Sequence, residues 1–203
     1  MKIALIGATG NVGTRVAAEA LSRGHQVTGI SRHPEKLAVK AGLTAARGDT
    51  AEPDAIAKVL AGHDVVVSST RFQGSDARGL IAAVKKAGVK RLLVVGGAGS
   101  LEVAPGLALV DSPDFPAAYK PEASGGRDFL GVLRSEKELE WTFLSPSALF
   151  GPGERTGKFR LGGDQLLVGP DGQSRVSMED YAIALVDELE TPKHSRRRFT
   201  VGC

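Results

Sequence analysis

The chain has 203 residues, of which 42% are apolar and 24% are charged, and this composition is that of an ordinary globular domain. Its net charge of +3, with scattered basic residues, is too small an excess to indicate a nucleic acid partner. The single cysteine, Cys203, excludes an internal disulfide, and no apolar run approaches the roughly 20 residues that span a bilayer. We therefore expect residues 1–203 to form a single cytoplasmic domain without a membrane or nucleic acid partner.

Short apolar runs alternate with helical patterns along the N-terminal half, which is typical of βαβ units and a parallel sheet. The predicted strands are 2–6, 26–30, 43–47, 65–67 and 92–95. The predicted helices are 11–23, 53–60 and 80–87, each closely followed by a glycine. The pattern predicts an α/β fold with a Rossmann-type, doubly wound and mainly parallel sheet.

The next part of the chain begins with residues 98–120, which carry Gly, Pro and Ser without periodicity. We predict a long loop there, and such loops in compact domains are commonly lids. Pro121 suits the first turn of a helix that runs to about residue 139. A sixth strand is predicted at 141–144, with Trp141 in the core.

The C-terminal part, about 151–203, has a mixed pattern and is predicted to form a small excursion on the substrate side of the sheet. Residues 159–167 favour a hairpin or an extended excursion. Ser177 favours capping of a helix over 178–190. The arginine run 196–198 precedes a final strand and is predicted to be a solvated sheet edge rather than a binding patch.

A glycine triplet, Gly7, Gly10 and Gly13, follows the first strand and opens an amphipathic helix. Such glycines permit the tight turn, the approach of the backbone to a pyrophosphate and close packing of helix and strand. Free N–H groups at the helix start then hold the anion, and Thr9 and Asn11 can add side-chain donors. The spacing and its position predict a dinucleotide site.

The residues after the second strand indicate which dinucleotide binds. An NAD site places Asp or Glu there for the ribose 2′-hydroxyl, whereas an NADP site places a basic residue there. In this chain Ser31 and Arg32 follow the strand, and no carboxylate occurs before Glu35. Arg32 can pair bidentately with a 2′-phosphate, so NADPH is favoured over NADH.

The chain also resembles the atypical short-chain dehydrogenase/reductases, and among them the NmrA-like branch provisionally described as NADH-flavin reductases and related to biliverdin-IXβ reductase. The resemblance covers essentially the whole chain. The segments that carry it are 7–13, 47–49, 95–100, 119–122, 141–146, 153–157, 161–166 and 177–182. The C-terminal segments are the more specific ones, because many nucleotide-binding families share the N-terminal half.

The resemblance implies site residues at the carboxyl ends of the strands, where open α/β sheets bind ligands. At the adenosine end it implies pyrophosphate contacts from Gly7, Thr9, Gly10, Asn11 and Val12, 2′-phosphate contacts from Ser31 and Arg32, and adenine contacts from Asp49 and Thr50. At the nicotinamide end it implies Ser68, Ser69, Thr70, Gly97, Ala98, Ser145, Pro146 and Ser147.

The tyrosine–lysine pair of ordinary short-chain dehydrogenases, Tyr-x-x-x-Lys, is missing from the sequence. Four positions after Tyr119 is Ala123, and four positions after Tyr181 is Leu185. Chemistry between alcohols and ketones by that route is therefore not expected. Hydride transfer to a planar acceptor such as FMN, FAD or a quinone needs less, since positioning against the nicotinamide supplies much of the rate.

Three functions stay open at this point. The first is an NADPH-dependent reductase of a planar acceptor, acting as a monomer or a homodimer. The second is a redox sensor that binds NADP(H) without turnover. The third is an epimerase or an isoflavone-reductase-like enzyme, for which Lys120 is the candidate proton-transfer residue.

Ser100 is a weak candidate proton donor, and Arg155 and Lys158 are candidates to contact a phosphate or carboxylate. The scattered histidines, His25, His33, His63 and His194, predict no metal site.

Overall fold

The computed structural model describes residues 1–38 and 40–203. The strands are β1 (Lys2–Ile6), β2 (Gln26–Ser31), β3 (Leu43–Arg47), β4 (Val65–Ser68), β5 (Arg91–Val95), β6 (Glu102–Ala104), β7 (Leu107–Ala108), β8 (Glu140–Pro146), β9 (Leu149–Gly151), β10 (Arg160–Gly162), β11 (Arg175–Ser177) and β12 (Arg197–Gly202). The α-helices are α1 (Asn11–Ser22), α2 (Pro53–Leu60), α3 (Ala77–Lys86), α4 (Lys120–Ser135) and α5 (Met178–Glu190).

The main sheet has the strand order β10-β12-β8-β5-β4-β1-β2-β3. All neighbours in it pair in parallel except β10 and β12, which are antiparallel. β1 lies between β2 and β4, so the strand order reverses there and leaves a crevice at the carboxyl ends of these strands. The predicted doubly wound, mainly parallel sheet is confirmed.

Helices cover both faces of the sheet and explain the continuous apolar run of β4, whose residues are all buried. One core cluster contains side chains of α2, α3 and α4, and includes Trp141 at 3% exposure, as predicted. The other contains side chains of α1 and α5, and includes Tyr181 and Phe199. Among the described residues, no helix combines the length and the apolar character needed to cross a membrane.

Two helix boundaries differ from the prediction because of local capping. Asp76 accepts a hydrogen bond from the Gly79 amide, so α3 begins at Ala77 rather than at residue 80. α4 ends at Ser135 rather than near 139. Glu136 takes an extended backbone there, and its carboxylate accepts the amides of Glu138 and Leu139.

The arginine run is solvated only in part, because Arg196 and Arg197 are exposed whereas Arg198 is buried. β10 pairs with residues 200–202 on the outer side of β12, so that part of β12 is interior, while the arginines precede the paired residues. The Arg198 side chain is buried and bonds the Asp164 carboxylate. Residues 160–162 form the predicted extended excursion, and the predicted loop over 98–120 contains the short hairpin of β6 and β7.

Candidate functional site

A cavity of about 620 Å³ opens at the carboxyl ends of β1, β2, β3 and β4, and we call it the switch-point cavity. Its size lies in the range of small-molecule and cofactor sites. The predicted site residues that line it are Gly7, Thr9, Gly10, Ser31, Arg32, Asp49, Thr50, Ser69 and Thr70. The structure thus brings the predicted adenosine-end residues together, with only Asn11 and Val12 outside the lining.

Gly7 and Gly13 shape the turn from β1 into α1. Gly7 has a φ of +78°, and a Cβ there would stand 2.1 Å from the carbonyl oxygen of Ser69. A Cβ on Gly13 would stand 2.2 Å from the carbonyl oxygen of Gly7. The chain itself therefore requires glycine at both positions, one for the backbone conformation and both for close approach.

Gly10 has a different reason to be glycine. A Cβ there would meet only the carbonyl oxygen of Gly7, at 3.3 Å, among the atoms of the described residues. Gly10 is also the N-cap of α1 and lines the switch-point cavity. The missing methyl group leaves room on the cavity floor, so the turn fits a pyrophosphate that approaches the backbone closely.

The start of α1 offers uncompensated positive potential to that anion. The first turn of α1 contains no acidic residue, and no side chain caps its N–H groups in the part of the chain that the structure describes. The backbone amides of Asn11 and Val12 belong to this first turn. Helix N–H groups and the helix dipole together favour a bound phosphate.

The end of β2 carries polar and basic groups toward the same cavity. The Ser31 hydroxyl lies 3.1 Å from the Thr9 hydroxyl and accepts the His33 amide at 3.1 Å. Arg32 is exposed and lines the cavity. Glu35, the first acidic residue after the strand, pairs with His33 at 3.2 Å rather than with Arg32.

Several cavity-lining residues were missed from the sequence. Lys36, on a short 3-10 turn after β2, adds a second positive charge near Arg32. The loop between β4 and α3, residues 69–76, adds Arg71, Gln73 and Asp76. Lys36 could have been predicted from the sequence, because it is a basic residue close to the Ser31-Arg32 pair. The residues of the loop 69–76 carry no motif that would have indicated them.

Of the eight predicted nicotinamide-end residues, Ser69 and Thr70 line the cavity and the other six lie outside its lining. Ser68 is 2% exposed, and its hydroxyl lies 3.2 Å from that of Thr70. Ser145 is fully buried, and its hydroxyl has no hydrogen-bond partner among the described residues. The buried Ser147 hydroxyl donates to the carbonyl oxygen of Val201 at 3.2 Å. Those outside the lining of the switch-point cavity are Ser68, Gly97, Ala98, Ser145, Pro146 and Ser147.

The two tyrosines stand apart from the cavity. The Tyr181 hydroxyl is buried, donates to the carbonyl oxygen of Leu144 at 2.7 Å and accepts the Gly96 amide at 3.3 Å. Burial raises the pKa of this hydroxyl, so it stays neutral. Tyr119 is 67% exposed. Neither tyrosine lines the cavity in the described residues.

The other candidate residues have separate positions. Lys120 is exposed at the start of α4. The Ser100 hydroxyl lies 3.5 Å from a guanidinium nitrogen of Arg198. Arg155 forms an ion pair with the buried Glu19 at 2.9 Å. One of the two cations predicted to contact a phosphate or carboxylate, Arg155 and Lys158, is therefore already paired within the chain. Among residues 1–38 and 40–203, no group of His, Cys, Asp and Glu could hold a metal ion.

Comparison with known proteins places these features in a family context. A family model described as NAD(P)H-binding matches residues 7–192. A solved structure from Burkholderia pseudomallei, provisionally described as an exported protein, is 49% identical with a TM-score of 0.91, and the match covers 100% of both chains. A Bacteroides thetaiotaomicron protein, provisionally described as an epimerase, is 45% identical with a TM-score of 0.93, over 99% of this chain and 96% of that one. A Streptococcus pneumoniae protein, provisionally described as an NADH-flavin reductase, is 36% identical with a TM-score of 0.87, over 100% of this chain and 99% of that one.

Proposed function

The chain belongs to the NAD(P)H-binding family of atypical short-chain dehydrogenase/reductases, and from that premise we propose that it is an NADPH-dependent reductase of a flavin, quinone or similar planar acceptor. A nicotinamide cofactor and an oxidoreductase-type Rossmann fold follow from the family match over residues 7–192. The preference for NADPH and the class of acceptor are the proposal.

The preference for NADPH rests on the charges at the end of β2. Arg32 and Lys36 both line the switch-point cavity, and the Ser31 hydroxyl stands beside them. Glu35, the first acid in the sequence after β2, pairs with His33. Two cations and a hydroxyl fit a 2′-phosphate, whereas an NAD site uses a carboxylate at this place. This arrangement is the observation that carries the proposal.

The acceptor class rests on the missing tyrosine–lysine pair, since among the described residues neither tyrosine lines the cavity. Bound NADPH supplies a hydride, and the protein's task is then to hold the acceptor ring against the nicotinamide. Tyr181 is committed to Leu144 and Gly96, so it is not free to exchange a proton with a substrate. A flavin or quinone takes its proton from water, which makes positioning the main requirement. The description of the Streptococcus pneumoniae relative supports the same class.

The test is the decay of absorbance at 340 nm with NADPH or NADH and excess FMN. We expect the wild-type protein to prefer NADPH. Arg32→Ala is expected to raise the KM for NADPH about tenfold or more, while the KM for NADH changes little, because only the 2′-phosphate contact is lost. Arg197→Ala, an exposed arginine on β12, is the matched control and should leave both KM values unchanged.

Background rates with FMN, FAD, menadione and biliverdin would contradict the reductase. If NADPH nevertheless binds, that result favours the redox sensor, which uses the same cavity without turnover. The epimerase reading has one specific support, the description of the Bacteroides thetaiotaomicron relative. It requires a proton-transfer residue, and Lys120 is the candidate that the sequence offers.

A further inference from the structure

The start of α4 is fixed to the loop 69–76 by one carboxylate. Glu122, in the first turn of α4, accepts the backbone amide of Phe72 at 2.8 Å and that of Gln73 at 3.0 Å. In the sequence, Glu122 is 50 residues from Phe72 and 49 residues from Gln73. A carboxylate that accepts two consecutive amides forms charge-assisted hydrogen bonds, which are stronger than neutral ones.

A pair of glycines in α4 permits this contact. A Cβ on Gly125 would stand 2.9 Å from the carbonyl oxygen of Phe72, and a Cβ on Gly126 would stand 3.1 Å from the Phe72 ring. Glycine is unfavourable in the interior of a helix, so two in succession need a reason. The reason here is the close approach of the helix to the loop.

The loop is held on its other sides as well. The Ser69 amide donates to the carbonyl oxygen of Ile6 at 2.9 Å, which joins the loop to β1. The Phe72 ring is buried and packs against Phe129 and Phe143, with centroids 5.4 and 5.8 Å away. The carbonyl oxygen of Phe72 accepts the amide of Ser75 at 3.0 Å and its hydroxyl at 2.9 Å. The backbone amides of Phe72 and Gln73 are bonded by Glu122.

The same loop provides one wall of the switch-point cavity. Thr70, Arg71 and Gln73 line it, on either side of the buried Phe72. Arg71 is exposed, and it directly precedes Phe72, the first of the two residues whose amides bond Glu122. The position of this wall therefore depends on a side chain that does not itself line the cavity.

We propose that Glu122 is a positioning residue that sets the affinity for the dinucleotide. Its carboxylate holds the loop 69–76 so that Arg71 and Gln73 face the bound cofactor, and it acts only through the loop backbone. The inference rests on the proposed function to the extent that the cofactor occupies the switch-point cavity. Under this proposal, the functional residue of the segment Tyr119-Lys120-Pro121-Glu122 is Glu122 rather than Lys120.

A residue just beyond the other end of α4 provides a control for Glu122. Glu136 follows α4, and its carboxylate also accepts two consecutive amides, those of Glu138 and Leu139. Neither Glu136 nor its partners line the switch-point cavity. Glu136→Gln therefore removes the charge of a carboxylate that accepts amides, together with its ion pair to Lys85, without touching the cavity wall.

The experiment measures the Kd of NADPH by fluorescence titration without acceptor, together with the hydrogen exchange of the Phe72 and Gln73 amides. In Glu122→Gln the amide group can accept one N–H, but its own NH₂ opposes the other. We expect the Kd to rise about tenfold, which corresponds to about 1.4 kcal/mol, and both amides to exchange faster. Saturating NADPH should restore their protection. Glu136→Gln should leave the Kd and these amides unchanged.

The outcomes separate this inference from the proposed function. A wild-type protein that binds NADPH, with Glu122→Gln binding equally well, would overturn the positioning role alone. Equal losses of affinity in Glu122→Gln and Glu136→Gln would also overturn it, because a general loss of stability would then explain both. A wild-type protein that fails to bind NADPH would overturn the proposed function and this inference with it. Glu122→Asp adds a further check, since a shortened carboxylate should recover part of the affinity.

Discussion

The two ends of the candidate site are built in different ways. At the adenosine end, turns directly after β1, β2 and β3 supply the lining, and the groups offered to a ligand are backbone amides, hydroxyls and exposed cations. At the nicotinamide end, the predicted residues Ser68, Ser145 and Ser147 are buried, and part of their contacts join distant parts of the chain. The Ser147 hydroxyl, for example, bonds a carbonyl oxygen 54 residues away.

One end of the site is therefore determined by contiguous residues, and the other by contacts between residues far apart in the sequence. The adenosine end can be recognised from contiguous residues, since each turn presents its own groups to the ligand. The nicotinamide end takes its shape from packing between elements, so its residues make sense only after the chain has folded. Substitutions should therefore have separable effects at the two ends, and the following predictions test that separation.

The largest effect is expected at Gly7. Gly7→Ala forces a residue with a side chain to a φ of +78° and places its Cβ 2.1 Å from the carbonyl oxygen of Ser69. We expect the free energy of unfolding to fall by about 3 kcal/mol or more. Gly10→Ala is the matched control, because its Cβ meets only one atom of the described residues, at 3.3 Å.

Gly10→Ala should lower stability by about 1 kcal/mol or less but weaken NADPH binding at least about tenfold. Urea unfolding and NADPH titration of both variants measure the two effects. If Gly10→Ala bound NADPH like the wild-type protein, the turn would not carry the pyrophosphate. If Gly7→Ala kept full stability, the distinction between a structural and a ligand-facing glycine would be wrong.

A smaller effect is expected at Glu19, which anchors the segment after β9. Its buried carboxylate pairs with Arg23 at 2.8 Å and with Arg155 at 2.9 Å. Burial alone would raise the pKa of Glu19, but the hydrogen bonds and charges of the two arginines outweigh it and hold the pKa below its ordinary 4.5. Stability from this carboxylate is therefore present above pH 4.5 and is lost as the pH falls through the lowered pKa.

We expect Glu19→Gln to lower the free energy of unfolding by about 2 kcal/mol at pH 7, and the difference from the wild-type protein to shrink on acidification. Denaturant unfolding at a series of pH values from 7 down to about 3 measures it. Glu138→Gln, at a side chain that is 76% exposed, is the control and should change little. A difference that stays constant with pH would exclude the ion-pair explanation. NADPH affinity should be unchanged, since Glu19 does not line the cavity.

The smallest effect is expected at Lys120. It is exposed at the start of α4 and does not line the switch-point cavity, so Lys120→Ala should change kcat/KM with NADPH and FMN by about twofold or less. Steady-state kinetics measure it. A complete loss of turnover would instead indicate proton transfer by Lys120 and would favour the epimerase reading.

The extent of sequence-based prediction follows the same division. The strand positions of the N-terminal half, the glycine turn and the Ser31-Arg32 pair were predictable because periodicity and adjacency encode them. The Ser177 cap was predictable for the same reason, and its hydroxyl accepts the Asp180 amide at 3.0 Å. Each of these features depends on residues within a few positions of one another.

The features that were missed depend on contacts across the chain. The burial of Arg198 could not be foreseen, because its partner Asp164 lies 34 residues away, just after β10. Glu122 looked like an ordinary first-turn acid, since nothing in its own segment indicates the amides of Phe72 and Gln73. Gly125 and Gly126 gave a signal, a glycine pair inside a helix, but the partner that requires them lies in another loop.

The position of β12 also bears on the order in which the nascent protein matures during translation. β12 lies between β8 and β10 although it is made after both, so that side of the sheet cannot close until residues 197–202 have left the ribosome. The strands from β1 to β5 are made first and pair only with one another and with β8. Until then the far side exposes apolar strand surface of the kind that chaperones recognise.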